Sequence, residues 1–163
     1  TNSSTLHISN VMRANGATVN VASGCSLTSG VNQFFDLHSG TINFEAGATN
    51  TVHMWEHKGN NTFGFTLNET GFPTLHPVSL RSGNGVTWSN ATYNIDISAY
   101  DRTKGKNITL IDWDSHHANF TDTFDGVTVN ITGHEGGTLS WDAAESRLVL
   151  HVVPIQGTIL IVR

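Results

Sequence analysis

The sequence predicts an all-β domain: a β-sandwich or jelly roll with a C-terminal strand available for donation, or alternatively a right-handed β-solenoid. Three observations carry that prediction. Segments of alternating apolar and polar residues recur along the chain, Gly, Asn and Ser turns separate them at spacings of roughly ten residues, and helical periodicity is almost absent.

In chain order, the first expected strand is Thr18–Ala22 (TVNVA), where Val19 and Val21 alternate with Thr18 and Asn20. Thr41–Ala46 (TINFEA) repeats the pattern with Ile42 and Phe44, and Thr51–His57 (TVHMWEH) and Phe63–Leu67 (FGFTL) follow. In Thr92–Ser98 (TYNIDIS) the residues Tyr93, Ile95 and Ile97 point one way, and Asn94, Asp96 and Ser98 the other. Asn107–Trp113 (NITLIDW) comes next, then Val127–Thr132 (VTVNIT), where Val127, Val129 and Ile131 oppose Thr128, Asn130 and Thr132. Thr138–Trp141 (TLSW) and Arg147–Val153 (RLVLHVV) complete a domain over residues 1–153, and a chain of 163 residues suffices for one such core.

Residues 154–163 read as a linker and a further strand. After Pro154 and Gly157, Thr158, Leu160 and Val162 lie on one face and Ile159 and Ile161 on the other, the two-sided apolar pattern of a central strand. Neither charge nor Pro blunts the edge within Thr158–Val162. Burying its aliphatic side chains is worth roughly 1.5–3 kcal/mol each before ordering costs. Such a strand either returns to its own core or completes the sheet of the next subunit, as in donor-strand complementation. Head-to-tail donation does not close on itself and makes a filament. The expected acceptor is a groove lined by Val19, Val21, Ile42, Phe44, Ile95 and Ile97.

Composition narrows the partners. Charged residues make up 13% of the chain and the net charge is −5, so no basic footprint for nucleic acid or an anionic membrane exists. No run of about 18 apolar residues is present to span a bilayer. A chain opening on Thr1, without initiator Met or signal-like segment, suits a mature processed protein. Cys25 is alone, which excludes an intramolecular disulfide framework and leaves a buried thiol or an intermolecular link.

The chain holds 16 Asn and 35 Ser and Thr, from which chance gives about three or four Asn-x-Ser/Thr glycan acceptors. It has seven: Asn2, Asn60, Asn68, Asn90, Asn107, Asn119 and Asn130. That enrichment points to a glycosylated, secreted protein. Asn130 falls on the polar face of its strand, and Asn107 at a strand's wet end.

Candidate chemistry is sparse. His53, Glu56 and His57 fit the H-x-x-E-H spacing of inverted zinc peptidases, but that chemistry needs a helix and these flanks alternate. On a strand, His53, Trp55 and His57 share one face and Glu56 turns away. Asp112, Asp114, His116, His117 and Asp122 cluster in DWDSHHANFTD without EF-hand spacing, as a polar loop after a strand would. No nucleophile elbow or phosphate-cradling Gly loop occurs, so the sequence points to no enzyme and no cofactor, although Asp/Glu pairs for glycoside cleavage meet only in three dimensions. Among the four Trp, Trp113 and Trp141 suit a core, whereas Trp55 and then Trp88 suit an exposed sugar-stacking platform.

The stretches GATVNVASGCSLTSG and SGTINFEAGAT resemble β-rich repeats of extracellular adhesins and autotransporter passengers. The later run, with ITLID, FDGVTV, LSWD and LVLHV, is similar to the closing module of surface proteins of the PEP-CTERM type. The whole pattern also resembles glycosylated extracellular fibril subunits, in which sugars coat a thin protein axis. These resemblances imply an extracellular structural or adhesive role and supply no catalytic residues. The expected function is therefore a secreted or cell-surface subunit that polymerises with itself through its C-terminal strand. The alternative is a non-catalytic carbohydrate-binding or adhesin module.

Overall fold

The computed structural model describes residues 3–69, 71–80, 89–101, 105–116, 124–133, 137–142 and 144–154. Thr158–Val162, Trp88, Asn2, Asn119, His117 and Asp122 lie outside them.

The chain is a β-solenoid of about three turns, the alternative that the strand pattern left open. The first turn is β1 (Thr5–Ile8), β2 (Val11–Asn15) and β3 (Thr18–Val21); the second is β4 (Ser26–Ser29), β5 (Phe34–His38) and β6 (Thr41–Phe44). The third is a long bent β7 (Thr49–Lys58) followed by β8 (Thr62–Asn68). Four further strands, β9 (Thr74–Leu80), β10 (Thr92–Ala99), β11 (Lys106–Asp112) and β12 (Ser115–His116), extend the stack with β13 (Thr128–Thr132). The end is an antiparallel pair, β14 (Thr138–Asp142) and β15 (Arg147–Val152), laid against β11.

The expectation of a sandwich is not met, because strands pair in parallel with the strand one turn later instead of folding back on their neighbours. The side chains show why. In the parallel sheet β3-β6-β8-β10-β13, Thr18, Thr41, Thr62, Thr92 and Thr128 occupy one register. The next position is the column Val19, Ile42, Phe63, Tyr93 and Val129, which faces inward through Tyr93 and is exposed at Val129 on the end strand. Then come Asn20, Asn43, Gly64, Asn94 and Asn130 facing out, and Val21, Phe44, Phe65, Ile95 and Ile131 facing in. A repeated Thr-apolar-Asn-apolar strand thus stacks on copies of itself, like on like.

Inside, a chain of rings runs from the second turn to the far end. Phe35 stacks on Trp55 (centroids 4.7 Å apart), Trp55 meets Phe63 (6.3 Å), and Phe63 stacks on Tyr93 (5.4 Å). Tyr93 then reaches Phe124, Trp141 and, through a 4.6 Å stack, Trp113, so Trp113 and Trp141 have the core role expected of them.

Two buried asparagines tie the turns together. Asn61 accepts from the Gly40 amide (2.9 Å) and donates to the carbonyls of Leu37 and Lys58, while Asn50 accepts from the Leu27 amide and donates to the Thr74 carbonyl. Pro77 sits inside β9 although Pro cannot donate to a ladder. It is tolerated because β11 pairs with β9 at Leu75 and β12 only from Ser79, which leaves Pro77 in the gap between them.

Candidate functional site

The strand pattern predicts an outward face for Asn130 and a strand's wet end for Asn107, and both side chains are exposed. Asn60, Asn90, Asn107 and Asn130 are exposed and Asn68 is half-buried. Asn60 and Asn90 occupy the same corner of successive turns, because Thr62 and Thr92, the last residues of their acceptor triplets, pair in one register. Asn107 Oδ1 accepts from His151 Nδ1 at 2.8 Å and Asn68 Oδ1 accepts from the Gly71 amide. The Asn130 amide donates to Asn94 Oδ1 at 2.8 Å.

Trp55 is not on the surface. It is 0% exposed between Phe35 and Phe63, so it offers no face to a sugar. The reason is a bend in β7. Asn50 and Val52 face in before it and Trp55 and His57 after it, which leaves His53 half-exposed at the corner instead of on the Trp55 face. His53 Nδ1 accepts from the Asn32 amide, and Glu56 pairs with Lys58, so His53, Glu56 and His57 do not converge. His57 is enclosed; burial lowers its pKa from 6.5 to about 3, and Asn61 donates to its Nδ1 at 3.3 Å.

The acidic cluster gains a member that sequence reasoning missed. Register pairing of Leu75 with Ile111 sets His76 beside Asp112, with His76 Nδ1 3.0 Å from Asp112 Oδ1 and Nε2 3.5 Å from Asp114 Oδ2. The alternation in TLHPVSL is interrupted by Pro77, and only the register with β11 brings His76 to the acidic residues. No group of three or more metal-ligating side chains forms among the described residues.

The structure also brings two carboxylates to adjacent turns. Arg13, Asp36 and Glu56 form one cross-strand column. Arg13 donates twice to Asp36 Oδ2 (2.9 and 3.1 Å), and Lys58 serves Glu56. Asp36 is 1% and Glu56 6% exposed, so each carboxylate is matched by a cation and closed to solvent. Such a pair holds strands together rather than flanking a glycosidic bond.

The expected acceptor groove is corrected in the same way. Ile42, Phe44, Ile95 and Ile97 are at most 1% exposed and fill the interior. Val19 and Val21 differ. With Leu6, Cys25 and Leu27 they line a shallow pocket between β1 and β3, at the open end of the first turn. There β1, β2 and β3 are each paired on one side only among the described residues. Leu6 is 51% and Val11 42% exposed, and Met12 and Val19 are only partly covered. Cys25 is half-buried, its Sγ 3.2 Å from Ser4 Oγ.

None of the described strands is a helix, and none of the described residues forms a helix long and apolar enough to cross a membrane. Comparison with family models, with curated proteins and with solved structures finds no match.

Proposed function

We propose that the chain is an extracellular, N-glycosylated structural subunit that polymerises head to tail, its Thr158–Val162 segment completing the first turn of the next copy. The role is mechanical and non-catalytic. The observation that carries this reading is the open first turn. Among the described residues, β1, β2 and β3 are each paired on one side only, and the exposed Leu6 and Val11 lie on them. Solenoid ends of this kind need a covering layer, and an apolar tail without charge is a suitable one. The outward position of Asn60, Asn90, Asn107 and Asn130 supports a sugar coat around such an axis.

The test is removal of residues 157–163, beside a full-length Leu6→Lys variant, with fibres scored by negative-stain electron microscopy and folding by circular dichroism. Full-length protein is expected to form regular fibres, and both variants folded monomers. Persisting fibres in the truncated protein would overturn donation. An unfolded truncated protein would assign the strand to its own core.

A further inference from the structure

The outer face of β3, β6, β8, β10 and β13 carries a second, unassigned feature. Its Asn column is a ladder of side-chain amides with one break. Asn43 Nδ2 donates to Asn20 Oδ1 at 2.7 Å, and Asn130 Nδ2 donates to Asn94 Oδ1 at 2.8 Å. Between these pairs the register position is Gly64, which has no side chain to continue the ladder. Among the described residues, the break leaves Asn43 Oδ1 without a donor on one side and Asn94 Nδ2 without an acceptor on the other.

The space is not a neutral gap. A Cβ built at Gly64 would lie 2.2 Å from Asn43 Oδ1, so the Asn43 carboxamide oxygen leans over the glycine. The resulting notch is bordered by Asn43, Thr66, Asn94, Asp96 and Thr132. Asp96 is fixed by the Ser98 amide, which donates to its Oδ1 at 2.9 Å. The Ser98 hydroxyl and amide hold that carboxyl below the usual carboxylate range, so it remains an acceptor at neutral pH.

A group that fits between an unmatched carbonyl oxygen and an unmatched amide N–H must donate and accept at once, as a hydroxyl does. Asp96 adds an acceptor for a second hydroxyl beside it. The five strands of this face bear no Lys or Arg, so nothing there favours an anion. Successive turns advance by about 4.7–4.9 Å, close to the rise per residue of an extended glycan chain. From this geometry we propose that the notch at Gly64 binds an uncharged polyhydroxylated ligand, a neutral linear oligosaccharide lying along the solenoid axis. The site lies on the outer face and does not rest on the assembly reading, and because a glycan on Asn130 would share that face, binding is measured on the chain without N-glycans. Sugar binding by a chain that forms no fibres would keep this inference and discard only the other.

Isothermal titration of the full chain with cellohexaose, chitohexaose and laminarihexaose tests it. At least one is expected to bind saturably. Gly64→Asn, whose side chain would fill the notch and push the Asn43 carboxamide out of its place, should weaken that binding tenfold or more. Thr66→Ala and Asp96→Asn, which leave the ladder intact, should each weaken it as well. If Gly64→Asn fails to fold by circular dichroism, these two variants decide. Absence of saturable binding to all three sugars overturns the proposal. So does binding that Thr66→Ala and Asp96→Asn leave unchanged. Ice-crystal shaping without sugar binding would assign the Thr and Asn grid to a water lattice and overturn it equally.

Discussion

Trp55→Ala is expected to destabilise the fold by about 3–5 kcal/mol, the range for emptying a large buried aromatic site. Trp55 is 0% exposed and is the link through which the Phe35 stack joins Phe63, so its loss opens a cavity that no neighbouring turn can collapse to fill. In a chain of this size that corresponds to a fall in melting temperature of roughly 6–20 °C. Trp55→Phe should cost far less. It keeps a ring against Phe35 and removes the indole Nε1–H, a buried donor without an acceptor among the described residues. Thermal unfolding followed by circular dichroism checks both. An unchanged melting temperature for Trp55→Ala would place Trp55 on the surface after all.

Stability is expected to fall steeply in mild acid, and His57 is the cause. Its pKa in the folded chain, about 3, lies below its ordinary value of 6.5 because burial excludes the charged ring. Above pH 6.5 both the folded and the unfolded forms are neutral at this position, and the shift has no effect. Between pH 6.5 and about 3 the unfolded chain takes up a proton that the folded chain refuses, so stability is lost as pH falls through that window. The full loss is on the order of 5 kcal/mol. Carboxylates contribute their own pH dependence, so the comparison is with His57→Gln, in which they are unchanged. Between pH 6 and 4 the wild type should lose about 1.4 kcal/mol per pH unit more than the variant in urea unfolding. Parallel curves for the two proteins would mean that His57 is hydrated in the native state.

Much of the strand content was legible, because period-two alternation directly reports a half-buried strand. Segments such as TVNVA, TINFEA, TYNIDIS and RLVLHVV all appear as strands, in β3, β6, β10 and β15. Alternation does not identify a strand's partner, which is why the sandwich was expected. The evidence for stacking was nevertheless present, in the recurrence of Thr-x-Asn or Thr-x-Gly at Thr18, Thr41, Thr62, Thr92 and Thr128. Short polar strands such as β1 and β4, and β9 with its internal Pro77, carry too little alternation to be read alone. They exist because neighbouring turns supply their partners.

The site reading failed where the chain bends. Period two fixes which residues share a face only while the strand is straight, and β7 turns a corner between Val52 and Trp55. Trp55, flanked by histidines, therefore read as exposed and is interior. The buried Asn61 and the exposed acceptor Asn60 are neighbours of the same type, and only their places on the corner separate their roles. The exposure of Asn130 was legible, since a polar position on a half-buried strand has one face left to occupy.

Hydrogen exchange of the amides of residues 158–162, compared between assembled material and chains dissociated but still folded, tests the assembly most directly. Strand donation predicts strong protection in the fibre and rapid exchange in the free chain, while the amides of β6 and β8 remain protected in both. Equal protection of residues 158–162 in the free chain would place that strand within its own subunit and contradict assembly through it.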